Sequence, residues 1–193
     1  MKILRTSRMH LSFLLLGVLT FSGCLTASRK ILKFNMKDDG SGTGSMTFVN
    51  IMSVQDGETD QSLEDYSELV NKWLYGTEFE DANPNLQNVQ KRLFARANRL
   101  YGEITFSFDY YGDVGLYRHQ DTGPWMYYAR LNTSNIEFFD TANGHYAGGS
   151  MPVIFWPEET RDFRIANGFN HGNNSVHSLY SLYDQLGVDP KEE

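Results

Sequence analysis

Apolar and polar residues alternate with a period of two in two separate stretches of this chain. In Lys30–Met36, Leu32, Phe34 and Met36 alternate with Lys33 and Asn35. In Tyr101–Tyr110, Ile104, Phe106, Phe108 and Tyr110 alternate with Glu103, Thr105, Ser107 and Asp109. Successive side chains of a strand point to opposite faces, so each stretch reads as a strand with one buried and one wet face. One-sided strands of this kind belong to antiparallel sheets. Lys37–Gly44 (KDDGSGTG) is a turn cluster, and Met46–Ile51 alternates again after it. Strand, glycine-rich turn and strand predict an N-terminal β-hairpin.

Helical spacing follows. Leu63, Tyr66, Leu69, Val70, Trp73 and Leu74 fall within about 140° of a helical wheel. Asp65, Glu68 and Lys72 lie outside that arc, so Ser62–Leu74 is expected to be an amphipathic helix. Asn83-Pro84 is a start signal. Leu86, Val89, Leu93, Ala97 and Leu100 then predict a second helix up to Leu100. Further strands are expected around Val114–Arg118, at Trp125–Leu131 and Met151–Trp156, and at Thr160–Ile165; Ser175–Leu186 reads as a last helix ended by Gly187. The expected fold is α+β. A mostly antiparallel sheet opens with the hairpin, two amphipathic helices pack on one side, and a helix closes the chain.

The single cysteine is Cys24. Lys2, Arg5 and Arg8 precede an apolar run from Leu11 to Thr20, and Ser22-Gly23 leads into the cysteine. That is the layout of a secretory signal, so residues 1–23 are expected to be removed. The apolar run falls short of the roughly 20 residues a spanning helix needs. An exported chain with one thiol has no disulfide to form, and acylation of Cys24 accounts for its position. Phe21 stands three residues earlier, where such signals usually carry an aliphatic residue. A membrane would then be a partner through the lipid on Cys24, since several acyl chains anchor stably where one does not. Residues 24–29 read as a short tether, 30–187 as one α+β domain and 188–193 as a tail.

Residues 1–23 hold three of the 17 Lys+Arg and none of the 24 Asp+Glu, which leaves 170 residues with a net charge of −10. That acidity argues against general nucleic-acid binding, which needs a basic footprint. Without a cysteine pair, stability rests on apolar burial, for which 13 Phe, 11 Tyr and 3 Trp supply rigid surface.

The order of these pieces resembles a group of uncharacterised bacterial lipoproteins, including the LppM-like kind. The resemblance is carried by Cys24, by Asp39-Gly40-Ser41-Gly42 between two strands, and by Asn143-Gly144 before the strand ending Phe155-Trp156-Pro157. It implies a membrane-tethered, extracytoplasmic α+β domain, and it carries over no catalytic residue.

Several residue groups suggest chemistry. Asp38–Gly44 offers oxygens and backbone amides, yet it lacks EF-hand spacing and a terminal G-K-[ST], so a local hairpin turn is the simpler reading. His119, His145, His171 and His177 follow no zinc spacing, since the HGNNSVH pair is six residues apart. Folding would have to bring them to Asp140 or to Glu158-Glu159 to make a metal site. No G-x-S-x-G elbow is present. Trp125, Tyr127, Tyr128, Tyr146 and Trp156 lie in an Asn- and Gly-rich region that suits either a glycan- or lipid-binding face or a sheet core. Arg92, Arg96 and Arg99 form a basic stripe that would either pair with local acids or face lipid headgroups.

These observations lead to one main expectation. The chain is read as a lipid-anchored protein of the bacterial cell envelope, at an outer membrane facing the periplasm. Its domain would bind an envelope protein partner or serve as an accessory subunit, with no catalytic, metal or cofactor site assigned. A glycan or lipid module built on residues 125–156 is the alternative, and a hydrolase with a site assembled from distant residues is the third.

Overall fold

The computed structural model describes residues 25–55, 59–119, 122–129 and 137–188. Among them the fold is α+β, with eleven strands in antiparallel sheets. β1 (Leu25–Met36) and β2 (Gly42–Val54) form the N-terminal hairpin. Next come α1 (Ser62–Glu68), a π-helical turn (Leu69–Leu74) and α2 (Glu78–Ala82). β3 (Gln87–Arg96) and β4 (Arg99–Phe108) make a second hairpin. A 3₁₀ turn at Tyr111–Val114 leads into β5 (Leu116–His119) and β6 (Thr122–Tyr128). β7 (Glu137–Ala142), β8 (His145–Tyr146), β9 (Val153–Trp156), β10 (Asp162–Phe169) and β11 (Val176–Ser178) follow, and α3 (Tyr180–Leu186) closes the fold.

The larger sheet runs β3-β4-β2-β1-β10-β7, with β11 pairing the end of β2; the smaller runs β5-β6-β9-β8. Alternation does what the sequence promised as far as Phe108, where the strand expected to reach Tyr110 ends and leaves Tyr110 exposed. Leu32, Phe34 and Met36 of β1 and Ile104, Phe106 and Phe108 of β4 are buried on one face. Helices and smaller sheet cover that face: Phe79 of α2 lies against Phe106, and Trp125 and Trp156 stand edge-on to Phe163 of β10. Burial of such aromatic faces is the main stabilising term in a fold without cross-links. No helix among the described residues is long and apolar enough to cross a membrane.

Four expectations need correcting. The helix expected from Asn83 to Leu100 is the β3–β4 hairpin. Val89, Lys91 and Leu93 of β3 are half-buried on one face at a spacing of two, and Lys91 sits among them because its ammonium is paired with Glu80. Residues Leu25–Arg29, expected as tether, are the first part of β1. Leu25, Thr26 and Ala27 are buried, and Leu25 pairs with Ser53 of β2. Gly42 and Gly44 are strand residues rather than turn residues. A Cβ on either would lie within 2.6 Å of the Phe108 or Phe106 ring, so both must be glycine for those rings to lie across the strand. Finally, Val176–Ser178 is a strand, which shortens the last helix to Tyr180–Leu186.

Candidate functional site

The cleft begins with a helix that changes pitch. α1 runs into the π-helical turn without interruption, and Tyr75 N–H donates to Val70 O at 3.0 Å, an i to i−5 bond. Such wide turns are rare and cluster at functional sites. Here the turn brings Leu69, Trp73 and Leu74 over the sheet, where they form the roof of a cleft of about 390 Å³, part of it open to solvent. Its floor comes from β2, β4 and β3. Phe48, Gly102 and Leu93 form one cross-strand row, with Ile51 and Ile104 beside them.

Gly102 determines the depth. A Cβ there would stand 3.0 Å from Ile51 Cδ1 and 3.4 Å from Leu93 Cδ2, so any side chain would fill the floor. A glycine inside a strand often marks such a close approach. At one end, Lys91 Nζ donates to Gly76 O at 2.5 Å and to Glu80 Oε2 at 2.9 Å, and its side chain is 10% exposed. On the opposite face of the hairpin, Arg92 is ion-paired with Glu103. The cleft is apolar within and charged at its margin, which suits an apolar group with a polar surround.

A polar cluster lies beyond the cleft, where α1 meets β2. Ser53 Oγ donates to Asp65 Oδ2 at 2.5 Å, and Gln55 Nε2 donates to Ser53 Oγ at 2.9 Å. Burial pushes the Asp65 carboxyl up, against the opposing effect of that hydrogen bond. His177 stands across from Ser53 in the β11–β2 pair but turns its Nδ1 to Asp60 Oδ2, 3.3 Å away.

The residues singled out in the sequence do not converge. Cys24 lies outside the described residues. Asp39 Oδ1 accepts from Ser41 N–H at 2.9 Å and Ser41 Oγ at 2.7 Å, bonds that hold its carboxyl below the ordinary carboxylate value. With Asp38 paired to Arg161, these acids are engaged in the turn. His119 and His145 are exposed on separate strands, and His171 Nδ1 meets Thr26 Oγ1 at 3.4 Å. Asp140 pairs with Arg29 and Glu158 with Arg118. No group of three metal-ligating side chains assembles among the described residues.

The aromatic segment divides. Trp125 and Trp156 are buried, each with its indole N–H satisfied, by Glu158 O at 3.1 Å and Asn143 Oδ1 at 2.8 Å. Tyr146 stacks on Phe139 at 4.1 Å, and Tyr128 is exposed. The two tryptophans therefore belong to the core rather than to a binding face. Sequence reasoning missed the cleft because its parts come from four elements. Gly102, interrupting the alternation of Leu100, Ile104 and Phe106, was the one local signal.

Comparison of the chain with family models, with curated proteins and with solved structures finds no match.

Proposed function

We propose that this chain is a lipid-anchored protein of a bacterial cell envelope, held at Cys24 on an outer membrane and facing the periplasm. Its domain works by binding an envelope protein partner, whose apolar side chains enter the cleft under the π-helical turn. The cleft is the observation that carries this reading: an apolar floor kept open by Gly102, roofed by an unusual helix and bordered by charge. Exposed Leu63, Tyr75 and Leu186 extend apolar surface over the neighbouring helical elements. Interfaces concentrate binding energy where a few large side chains fill such pockets, while a polar rim excludes water. The LppM-like order of Cys24, hairpin and later strands supports the envelope setting.

Photo-crosslinking in intact cells tests the binding claim. A photoreactive residue at Leu74, on the cleft roof, should capture one polypeptide of fixed mass. The same residue at Tyr128 should not, and Leu93→Gln should abolish capture from position 74 while leaving the melting temperature within a few degrees. Cross-links to acyl chains alone would reassign the cleft to lipid, and equal capture from both positions would overturn the reading.

A further inference from the structure

We infer that the tip of the β3–β4 hairpin is a docking site for anionic phospholipid headgroups, and that this contact orients the domain on its membrane. The inference rests on the anchoring at Cys24 proposed above. Its first support is topological. β1 and β4 both run antiparallel to β2, so they run parallel to each other. Val49 pairs with Arg29 on one side and Tyr101 on the other, which sets a common row. At about 3.3 Å per residue, Leu25 lies roughly 13 Å and Arg99 roughly 7 Å beyond that row, in the same direction. The turn Ala97-Asn98 reaches further still. It thus emerges beside Leu25, the residue that follows the acylated cysteine, about 10–15 Å to the side by strand spacing.

The second support is electrostatic. Arg96 pairs directly with Arg99 across the hairpin, and both are exposed. Like charges placed opposite each other destabilise a hairpin. Neither arginine has a carboxylate partner among the described residues, whereas Arg29, Lys30, Arg92 and His177 each have one. The turn between them adds cost. Ala97 and Asn98 both have positive φ, 49° and 56°, a conformation that suits glycine and asparagine far better than alanine. A guanidinium pair with no carboxylate partner among the described residues, held on a strained turn, matches phosphate, which accepts two hydrogen bonds from each planar fork.

Surroundings agree with this assignment. On the same face, Phe94 and Tyr101 stack at 5.3 Å directly behind the arginines, and Arg92 lies over Phe94 at 4.9 Å. Aromatic bodies with a polar tip favour the membrane interface. At the other end of the sheet lies the β1–β2 turn with Asp38 and Asp39, which serves as the internal control for the contact. The net charge of the chain opposes free adhesion. Tethering converts the contact into an intramolecular one, and two arginines then suffice at high effective concentration.

The test is hydrogen exchange of the full acylated chain in vesicles of phosphatidylcholine alone and of phosphatidylcholine with phosphatidylglycerol. Peptides covering 94–101 should exchange more slowly when phosphatidylglycerol is present, with the docked population rising roughly 30-fold from two arginines near an anionic surface. The protection should weaken at high salt and vanish in R96Q/R99Q, while peptides covering 37–44 stay unchanged. Equal exchange in both vesicles, or an R96Q/R99Q chain identical to the wild type, would overturn the docking. The intact mass of the same sample reports acylation separately. A chain without acyl mass would overturn the anchor, and coupling Cys24 to a maleimide phospholipid would then decide the hairpin contact on its own.

Discussion

Leu25 stands directly across from Ser53 in the first hairpin, and both side chains are buried. The sheet therefore includes the residue that follows Cys24, the proposed anchor, in the sequence. Ala27, at 0% exposure, faces Ile51 two positions later.

Charge at that position should be poorly tolerated. An unpaired charge in an apolar site costs several kcal/mol. Ala27→Asp should lower stability by about 3 kcal/mol or more, measured by chemical denaturation of the domain.

The Ser53–Asp65 pair makes stability depend on pH. Burial raises the Asp65 carboxyl above its ordinary value, so the folded state holds this proton more tightly than the unfolded state does. Stability from this group is gained as pH falls through the raised folded value towards about 3.8, and lost as pH rises. Asp65→Asn keeps an acceptor for Ser53 Oγ and removes the buried charge. It should stabilise the protein at neutral pH and flatten the pH profile in that window, and a loss of stability at pH 7 would contradict this account.

Tyr66 should set the alkaline limit. Burial, followed by the neighbouring Tyr183 and Tyr75, pushes its phenol from 10.0 up to about 12. The neutral hydroxyl donates to Gly187 O, and Tyr75 donates to Val188 O at 2.6 Å, so the two tyrosines hold the segment after α3. A raised acid contributes stability that is present below its unfolded value and is lost between about pH 10 and 12. Tyr66→Phe should cost about 1 kcal/mol at neutral pH, the net value of one hydrogen bond. It should also make alkaline unfolding less steep.

Core and surface aromatics should separate cleanly. Trp156→Ala removes a buried ring packed on Phe163 and one of the two donors to Asn143 Oδ1, leaving Arg164 N–H as the other. A loss of about 3–5 kcal/mol is expected. Exposed Tyr128→Ala should stay within about 0.5 kcal/mol. Thermal denaturation of both variants checks this, and a Trp156→Ala chain of unchanged melting temperature would return that residue to the surface.

The first hairpin and β4 were legible because one-sided burial leaves a period-two pattern that no other element reproduces. The β3–β4 hairpin was not. Leu86, Val89, Leu93, Ala97 and Leu100 happen to fall at helical intervals, and the turn Ala97-Asn98 lacks the glycine that usually marks such hairpins. Lys91 hid the strand alternation as well, since its partner Glu80 lies eleven residues earlier on α2. The opening of β1 looked like spacer because Leu25-Thr26-Ala27-Ser28-Arg29 is short and follows the cysteine directly. Its pairing with the far end of β2, and the Thr26–His171 contact, join positions distant in the sequence. The cleft shares this property: local pattern fixes which face of each strand is apolar, but not which faces leave a space between them.

The claim on which the rest depends is the anchor at Cys24. Denaturing mass spectrometry of the full-length product, extracted from its own membrane in detergent, tests it most directly. The account predicts a chain that starts at Cys24 and carries the added mass of a diacylglycerol unit, with or without a third acyl chain, lost in Cys24→Ser. A product that starts elsewhere, or a Cys24 of unmodified mass, would contradict it.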